Sequence, residues 1–236
     1  MSHTSQRRGL DRSRPGRELI VLAMIPTRYK DAAGITEAMS ELARKMLQYG
    51  PDNWMSRNAA EIDIPRLSAA LKLIQGSNRS PEKVAEMLIS AVGGASSVIT
   101  AVYTDPKKVE NLIKDLKGDW LARNKAKGYP ISIVLSGLFD DVHECCQRTG
   151  LTEHTYLHSL GFFGRVQDLP SEDELALITM CGHGLIAVSR VRHLVKSIRD
   201  GELTAKEAAD DVAKPCVCGI VNRQRAEEVF RRLTTG

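Results

Sequence analysis

The stretch ELIVLAMIP, residues 18–26, decides how the fold is interpreted, because it places seven apolar residues in a row between a glutamate and a proline. A short apolar run of this kind is typical of a buried β-strand. PISIVLS, residues 130–136, is a second candidate strand. Its continuation through Leu138 and Cys145 keeps helical spacing, which favours one long helix that ends at Gly150. Because two isolated strands would make a poor sheet, we predict a mainly α, helical bundle-like fold.

Helical periodicity dominates the rest of the chain. Capping boxes are predicted at Ser171–Glu174 and Thr204–Glu207, and Asn222 is the predicted N-cap of the last helix. Apolar residues recur at helical spacing in several segments, which we predict as helices: 35–47, 64–74, 81–91, 106–116, 172–180, 185–198, 205–212 and 223–233.

The composition limits the class of protein. The chain has 236 residues, of which 42% are apolar, and this is enough for one large domain or two small ones. No apolar run predicts a membrane span, and the N-terminus lacks the apolar segment of a signal peptide. The five cysteines are expected to be reduced thiols or metal ligands rather than disulfides. We therefore expect a cytoplasmic protein with no membrane partner.

Positive charge is concentrated near the N-terminus. The net charge is +4, and residues 1–17 contain five arginines. We predict a disordered basic arm over 1–17, a helical domain over 18–150 and a helical metal-binding portion over 151–236. The arm could contact nucleic acid, but the rest of the chain has no basic stripe, which argues against a nucleic-acid-binding protein.

KPCVCGIVN, residues 214–222, presents two cysteines one residue apart. Within a helix, residues two apart point about 200° apart, so Cys216 and Cys218 would not share one apolar face. In a turn between two helices both thiols can converge, and Gly219 lets the backbone bend close to a bound group. The free N–H groups at the start of the next helix favour thiolates. We interpret the stretch as a metal-binding turn.

MCGHGL, residues 180–185, is the matching stretch. Cys181 and His183 are again one residue apart, and two glycines interrupt a pattern that is otherwise helical. A glycine inside a helix costs about 1 kcal/mol relative to alanine, so such an interruption has a packing or functional reason. A helical hairpin between the two stretches can bring them together. The predicted ligands of one metal or cluster are Cys181, His183, Cys216 and Cys218.

This donor set is compatible with two kinds of metal centre. Three cysteines suit a [4Fe–4S] cluster, with His183 as the fourth ligand or with one iron open to a small-molecule substrate. Three cysteines and a histidine also suit a closed zinc site. The glycine-rich surroundings favour the cluster, because backbone N–H groups can reach its sulfides. The predicted function is electron transfer with a redox partner, or a reaction at an open iron. The alternative is a zinc-stabilised helical interaction or regulatory protein that associates with nucleic acid through its arm.

Other cysteines and histidines have open roles. Cys145 and Cys146 stand near a predicted helix end, and His154 and His158 have the i, i+4 spacing of some metal sites. The sequence does not decide whether these four residues join the centre. Nucleotide-binding glycine loops and the G-x-S-x-G elbow of hydrolases are absent from the sequence. Whether the protein is an enzyme, and whether it is an oligomer, is left open.

Overall fold

The sheet at the centre of the molecule has four antiparallel strands within the part of the chain that the structure describes. The structure is a computed structural model, and it describes residues 7–12, 17–29, 31–56, 80, 83, 86, 87, 89, 97–157, 159–216 and 218–235. The strands are β1, Leu19–Met24; β2, Asn53–Ser56; β3, Val98–Tyr103; and β4, Ser132–Ser136. They are hydrogen-bonded in the order β2-β3-β1-β4.

β1 is a central strand that is buried on both faces. Its register places Leu22 opposite Thr100 of β3 and opposite Val134 of β4. Every residue of β1 from Leu19 to Ala23 is buried. A strand with helices over both faces needs apolar side chains at successive positions rather than at alternate ones. This need explains the unbroken apolar run at 19–25.

Helices cover both faces of the sheet. Their bounds are α1, Ile35–Gln48; α2, Pro106–Asp115; α3, Leu121–Ala126; α4, Phe139–Thr149; α5, Glu172–Ile178; α6, Val188–Arg199; α7, Ala205–Ala213; and α8, Arg223–Thr235. A π-helix, Leu116–Trp120, joins α2 to α3, and 3₁₀ turns span Thr27–Tyr29 and Val166–Asp168.

Four predicted helix ends are confirmed. Ser171 and Thr204 form capping boxes at the starts of α5 and α7. The side chain of Asn222 accepts a hydrogen bond from the N–H of Arg225 over 3.1 Å, as expected of the N-cap of α8. Gly150 ends α4 in the left-handed conformation, with φ of 64°. Each of these signals depends only on neighbouring residues, so it can be identified in the sequence without knowledge of the fold.

Two apolar cores lie on the two faces of β1. The first core takes Leu19, Val21 and Ala23 from β1 and packs them against α1, α2 and the π-helix. The second core takes Ile20 and Leu22 and packs them against α5, α6, α7 and α8. Each fully buried large aliphatic side chain contributes about 1.5–3 kcal/mol to folding. β1 therefore holds the two halves of the protein together.

The predicted bundle is corrected to a mixed α/β fold. The helical content is as expected, but residues 18–26 contain a strand, β1, of a sheet that the predicted bundle does not have. Residues 132–136 form β4, and the helix predicted through them starts only at Phe139. β2 and β3 complete a sheet that two strands alone could not make.

Two further predictions are tested only in part. The predicted helix over 64–74 lies outside the described residues, and of 81–91 only Lys83, Glu86, Met87 and Ile89 are described, as helical. The division into an arm, a helical domain and a metal-binding portion stays a prediction. Along the described ranges, no helix has the length and apolar character that crossing a bilayer requires.

Candidate functional site

The four predicted ligands lie in two turns between helices of the second core. Cys181 and His183 follow α5 in the turn that leads to α6, where both glycines have positive φ, 73° and 67°. Cys216 and Cys218 follow α7 in the turn that leads to α8, where Gly219 has φ of 67°. Residues with a Cβ rarely adopt these angles. The glycines therefore allow the chain to reverse around each pair of ligands.

The two turns bring the four side chains into contact. Sγ of Cys218 lies 3.5 Å from Nδ1 of His183 and 3.7 Å from Sγ of Cys216. Cys216 is in turn close enough to Cys181 to raise the pKa of that thiol. The contacts are pairwise, and no group of three or more His, Cys, Asp and Glu side chains in the described ranges is already arranged to hold a metal ion. Metal binding would draw these neighbouring side chains onto one centre.

Backbone N–H groups act on all three sulfurs. The N–H of His183 donates to Sγ of Cys181 over 3.4 Å, and the N–H groups of Val221 and Ile220 act to lower the pKa of Cys216 and of Cys218. An N–H donor stabilises a thiolate more than a neutral thiol. Turn residues can provide such donors because their N–H groups are not used in a helical ladder.

The interactions among the thiols set an order of acidity. The interaction with Cys216, together with burial, raises the pKa of Cys181. At Cys216 that same interaction acts to lower the pKa, but the bond to Cys218 and burial outweigh it, so the pKa is raised. At Cys218 the bond from Cys216 lowers the pKa. The proton is therefore lost first from Cys218, the thiol beside His183.

The site is buried on one side and open on the other. Cys181 and Cys216 are buried, whereas Cys218 is half-buried and His183 is exposed. Solvent and any incoming ion therefore reach the thiols from the side of His183.

The sheet holds the second turn in place. Nδ2 of Asn53, in β2, donates to the carbonyls of Gly219 and Val221 over 2.6 and 2.9 Å. The hydroxyl of Thr100, in β3, donates to the carbonyl of Cys218. Since these bonds hold the carbonyls of the turn against the sheet, the N–H groups remain directed at the sulfurs.

A buried charge cluster lies beside the thiols. The carboxylate of Glu18 is buried and forms ion pairs with Arg7 and, at 3.1 Å, with Arg225. Asn222 donates to the other carboxylate oxygen over 2.8 Å. Burial and the nearby charge of Arg225 lower the pKa of Arg7, while the three thiols of the site act to raise it. With two cations and one anion, the cluster brings net positive charge close to the thiols.

Arg7 connects the N-terminal segment to the site. Its Nε donates to the carbonyl of Met180, the residue before Cys181, over 2.8 Å. The side chain is 1% exposed. Its Nη2 is paired with Glu18, and its Nη1 makes no hydrogen bond. Arg7 is therefore buried in the body of the protein next to the first turn, although it belongs to the predicted arm.

Sequence reasoning missed the residues that surround the four ligands: Arg7, Glu18, Asn53, Thr100 and Arg225. Most of them carry no local signal, because each meets the turns only through the fold. Glu18 is the exception, since it directly precedes a strand that is buried on both faces. A buried charge in such a place requires a partner of opposite charge.

The other candidate residues lie elsewhere. Cys145 belongs to the first core, and Cys146 is buried near Glu153, whose carboxylate acts to raise the pKa of the Cys146 thiol. His154 is exposed, and His158 lies outside the described residues. The structure shows no contact between the three described residues and the four predicted ligands.

The donor atoms at the two turns determine which metals the site can bind. Three sulfurs and one imidazole nitrogen are ligands that zinc and iron–sulfur centres prefer over hard cations such as Mg²⁺. Two of the sulfurs are buried and one ligand is exposed, so the site combines a protected interior with an entrance. Comparisons of the chain with family models, with curated proteins and with solved structures found no match.

Proposed function

We propose that this protein binds one metal ion through Cys181, His183, Cys216 and Cys218, and that the ion is zinc. One observation carries the proposal: three thiols and an imidazole from two separate turns lie next to one another, and a backbone N–H donor acts on each sulfur. A cysteine that serves only as a small apolar side chain needs no such donor. Three cysteines and one histidine are a common ligand set of structural zinc sites.

The spacing of the donors favours a single ion. Two sulfurs on one tetrahedral zinc, each at about 2.3 Å, stand about 3.8 Å apart, and those of Cys216 and Cys218 are 3.7 Å apart. A sulfur and an imidazole nitrogen on such an ion stand about 3.6 Å apart, and those of Cys218 and His183 are 3.5 Å apart. In a [4Fe–4S] cluster each cysteine binds a different iron, so its sulfurs must stand farther apart. Zinc therefore requires the smaller rearrangement.

Charge balance supports metal binding. Three thiolates, a neutral imidazole and one Zn²⁺ carry a net charge of about −1. The buried cluster of Arg7, Arg225 and Glu18 carries the opposite net charge beside them. Because a buried charge is costly unless it is compensated, the two groups stabilise each other.

The proposed role of the ion is to stabilise the second core. When bound, zinc supplies bonds that join the turn after α5 to the turn after α7. The four side chains meet only in the folded chain, so the free energy of binding is also free energy of folding. We infer that the protein then acts through its surface, as a zinc-stabilised interaction or regulatory protein. All five cysteines are free, which is consistent with the reducing cytoplasm that we propose as its compartment.

A [4Fe–4S] cluster is the second candidate, and the exposure of His183 favours it. A ligand at the surface can give way to a small molecule or lie close to a redox partner. The N–H groups that face the three sulfurs would also tune the reduction potential of a cluster. Cys181, Cys216 and Cys218 would hold this group, but their sulfurs would first have to separate.

Metal analysis of protein purified without oxygen distinguishes these centres. We expect one zinc per chain, no acid-labile sulfide and no absorption band near 400 nm. Stoichiometric iron and sulfide in a brown protein would instead establish the cluster. The whole proposal would fail for a protein that holds neither metal and whose melting temperature does not rise when zinc, or iron with sulfide, is added.

A further inference from the structure

An apolar surface segment of the protein has no role in the proposed metal site. Residues 154–169 are here called the aromatic segment. Their described part, 154–157 and 159–169, contains no α-helix or strand and only a 3₁₀ turn near its end. Six large apolar side chains of this segment are between 42% and 81% exposed: Tyr156, Leu157, Leu160, Phe162, Phe163 and Val166. Exposed side chains of this kind are normal singly, but six within eleven residues of sequence require an explanation.

The aromatic segment is held against the body of the protein at two points. The ring of Tyr156 packs edge-on against Phe139 at the start of α4, with 5.5 Å between ring centroids. The guanidinium of Arg8 lies 4.9 Å from the centroid of Phe162. Arg8 itself is fixed by an ion pair with Glu172 of α5. These contacts present the segment as a defined surface rather than as a free loop.

The exposed area of the segment matches one side of a protein interface. With about 150–250 Å² for each large side chain, the six exposed residues present on the order of 700 Å² of apolar surface. The largest apolar patch of a typical monomer is about 300–600 Å². A standard interface buries about 800 Å² on each partner. The segment is therefore large enough to form most of such an interface.

The charge of the segment indicates what kind of partner it fits. HTYLHSLGFFGRVQDL, residues 154–169, contains one cation and one anion, Arg165 and Asp168. The two side chains form an ion pair with each other at 2.5 Å. Nucleic acid and anionic membranes are recognised by an excess of Lys and Arg, which this surface does not have. A neutral apolar surface can instead meet an identical surface without charge repulsion.

We propose that the aromatic segment is a homodimer interface in which two copies of the chain pack their segments together. A twofold interface uses the same surface on both partners, and it is the commonest arrangement of soluble oligomers. Tyr156, Phe162 and Phe163 supply the aromatic side chains that are enriched at such interfaces. This inference does not depend on the metal site, because no predicted ligand lies in the segment.

Sedimentation of the full chain across a wide concentration range tests the proposal. We expect a mass of twice 26.0 kDa that falls to the monomer only on strong dilution. Since each side chain occurs twice in the interface, replacing Leu160 and Phe163 together with serine should weaken dimerisation on the order of a hundredfold or more. Circular dichroism should be unchanged, because both side chains are exposed in the monomer.

Leu185→Ser is the matched control, since Leu185 is also an exposed leucine but lies outside the aromatic segment. It should leave the mass unchanged. A wild-type chain that sediments as a monomer at every concentration would overturn the proposal. A dimer that the Leu160→Ser, Phe163→Ser variant forms as tightly as the wild type would also overturn it. If the chain stays monomeric and binds lipid vesicles through this segment, the proposal is also overturned, because the partner of the segment is then a membrane and not a second copy of the chain.

Discussion

The protein contains two pairs of closely spaced cysteines, and the two pairs have different environments. Cys145 and Cys146 are adjacent in α4, where the helix directs one thiol into the first core and the other toward Glu153. Burial raises the pKa of Cys145 to about 12. Cys216 and Cys218 lie in a turn, where their sulfurs are 3.7 Å apart and backbone N–H groups act to lower the pKa of each thiol. Burial alone therefore does not distinguish a structural cysteine from a candidate ligand.

The difference lies in what the backbone does around each pair. Inside a helix the N–H groups are bonded to carbonyls of the preceding turn, so they cannot stabilise a thiolate. At a helix junction the N–H groups have no such partner and can face the sulfurs. A cysteine pair is thus a better ligand candidate where the chain leaves regular structure than where it continues a helix.

The largest expected effect comes from exchanging thiols for hydroxyls in the two pairs. Cys216→Ser and Cys218→Ser should each remove most of the bound metal and lower the melting temperature on the order of 10 °C or more, because metal binding contributes to folding. Cys145→Ser and Cys146→Ser should keep full metal content and cost about 1–2 kcal/mol for the buried hydroxyl. Metal analysis and thermal melts of the four variants give the comparison. Equal metal loss from the variants of both cysteine pairs would contradict the assignment of only the second pair as metal ligands.

The next effect concerns the buried charges that accompany only the second pair. Glu18→Gln keeps the shape of the side chain but leaves Arg7 and Arg225 without their carboxylate, which should cost about 3–5 kcal/mol of unfolding free energy. Denaturant titration measures the loss. Glu172→Gln is the control, because Glu172 pairs with Arg8 at the surface and should change stability by less than about 1 kcal/mol. Similar losses in both variants would mean that the buried cluster is not a special feature of the site.

The smallest effect concerns the turn itself. Gly219 has φ of 67°, so Gly219→Ala should cost about 1–2 kcal/mol and make the protein lose metal to a chelator faster, because Cys218 precedes it. Gly118→Ala is the matched control, since Gly118 lies in the π-helix with open space around its Cα. There alanine should be neutral or stabilising by up to about 1 kcal/mol. A Gly219→Ala variant with wild-type stability and chelator resistance would contradict the proposed role of the turn.

The parts of the structure that the sequence predicts are those that depend on neighbouring residues. The caps at Ser171, Thr204 and Asn222 and the convergence of two turns across one helical hairpin all follow from short stretches. The sheet was missed because its strands meet only across long separations, and β2 has only four residues. A single sequence contains little information about which distant strands pair with each other.

The surroundings of the candidate site were missed for the same reason. Glu18 and Arg225 are 207 positions apart along the chain and contact only after the fold has formed. Asn53 and the turn that it holds are separated by 166 positions. Spacing within the sequence can suggest which side chains share a turn, but it cannot show which strands hold that turn or which charges balance it.

The order of β1 ahead of its partners has a consequence for synthesis on the ribosome. β1 is translated before its partners in β3 and β4, which follow about a hundred residues later, and the helices over its second face follow β4. At a synthesis rate of roughly 5–20 residues per second, the helices that pack on Ile20 and Leu22 are completed on the order of 10–40 s after these two residues. During that time an apolar strand with unpaired edges is exposed in the nascent chain. We expect this segment to be the part of the newborn protein that chaperones bind.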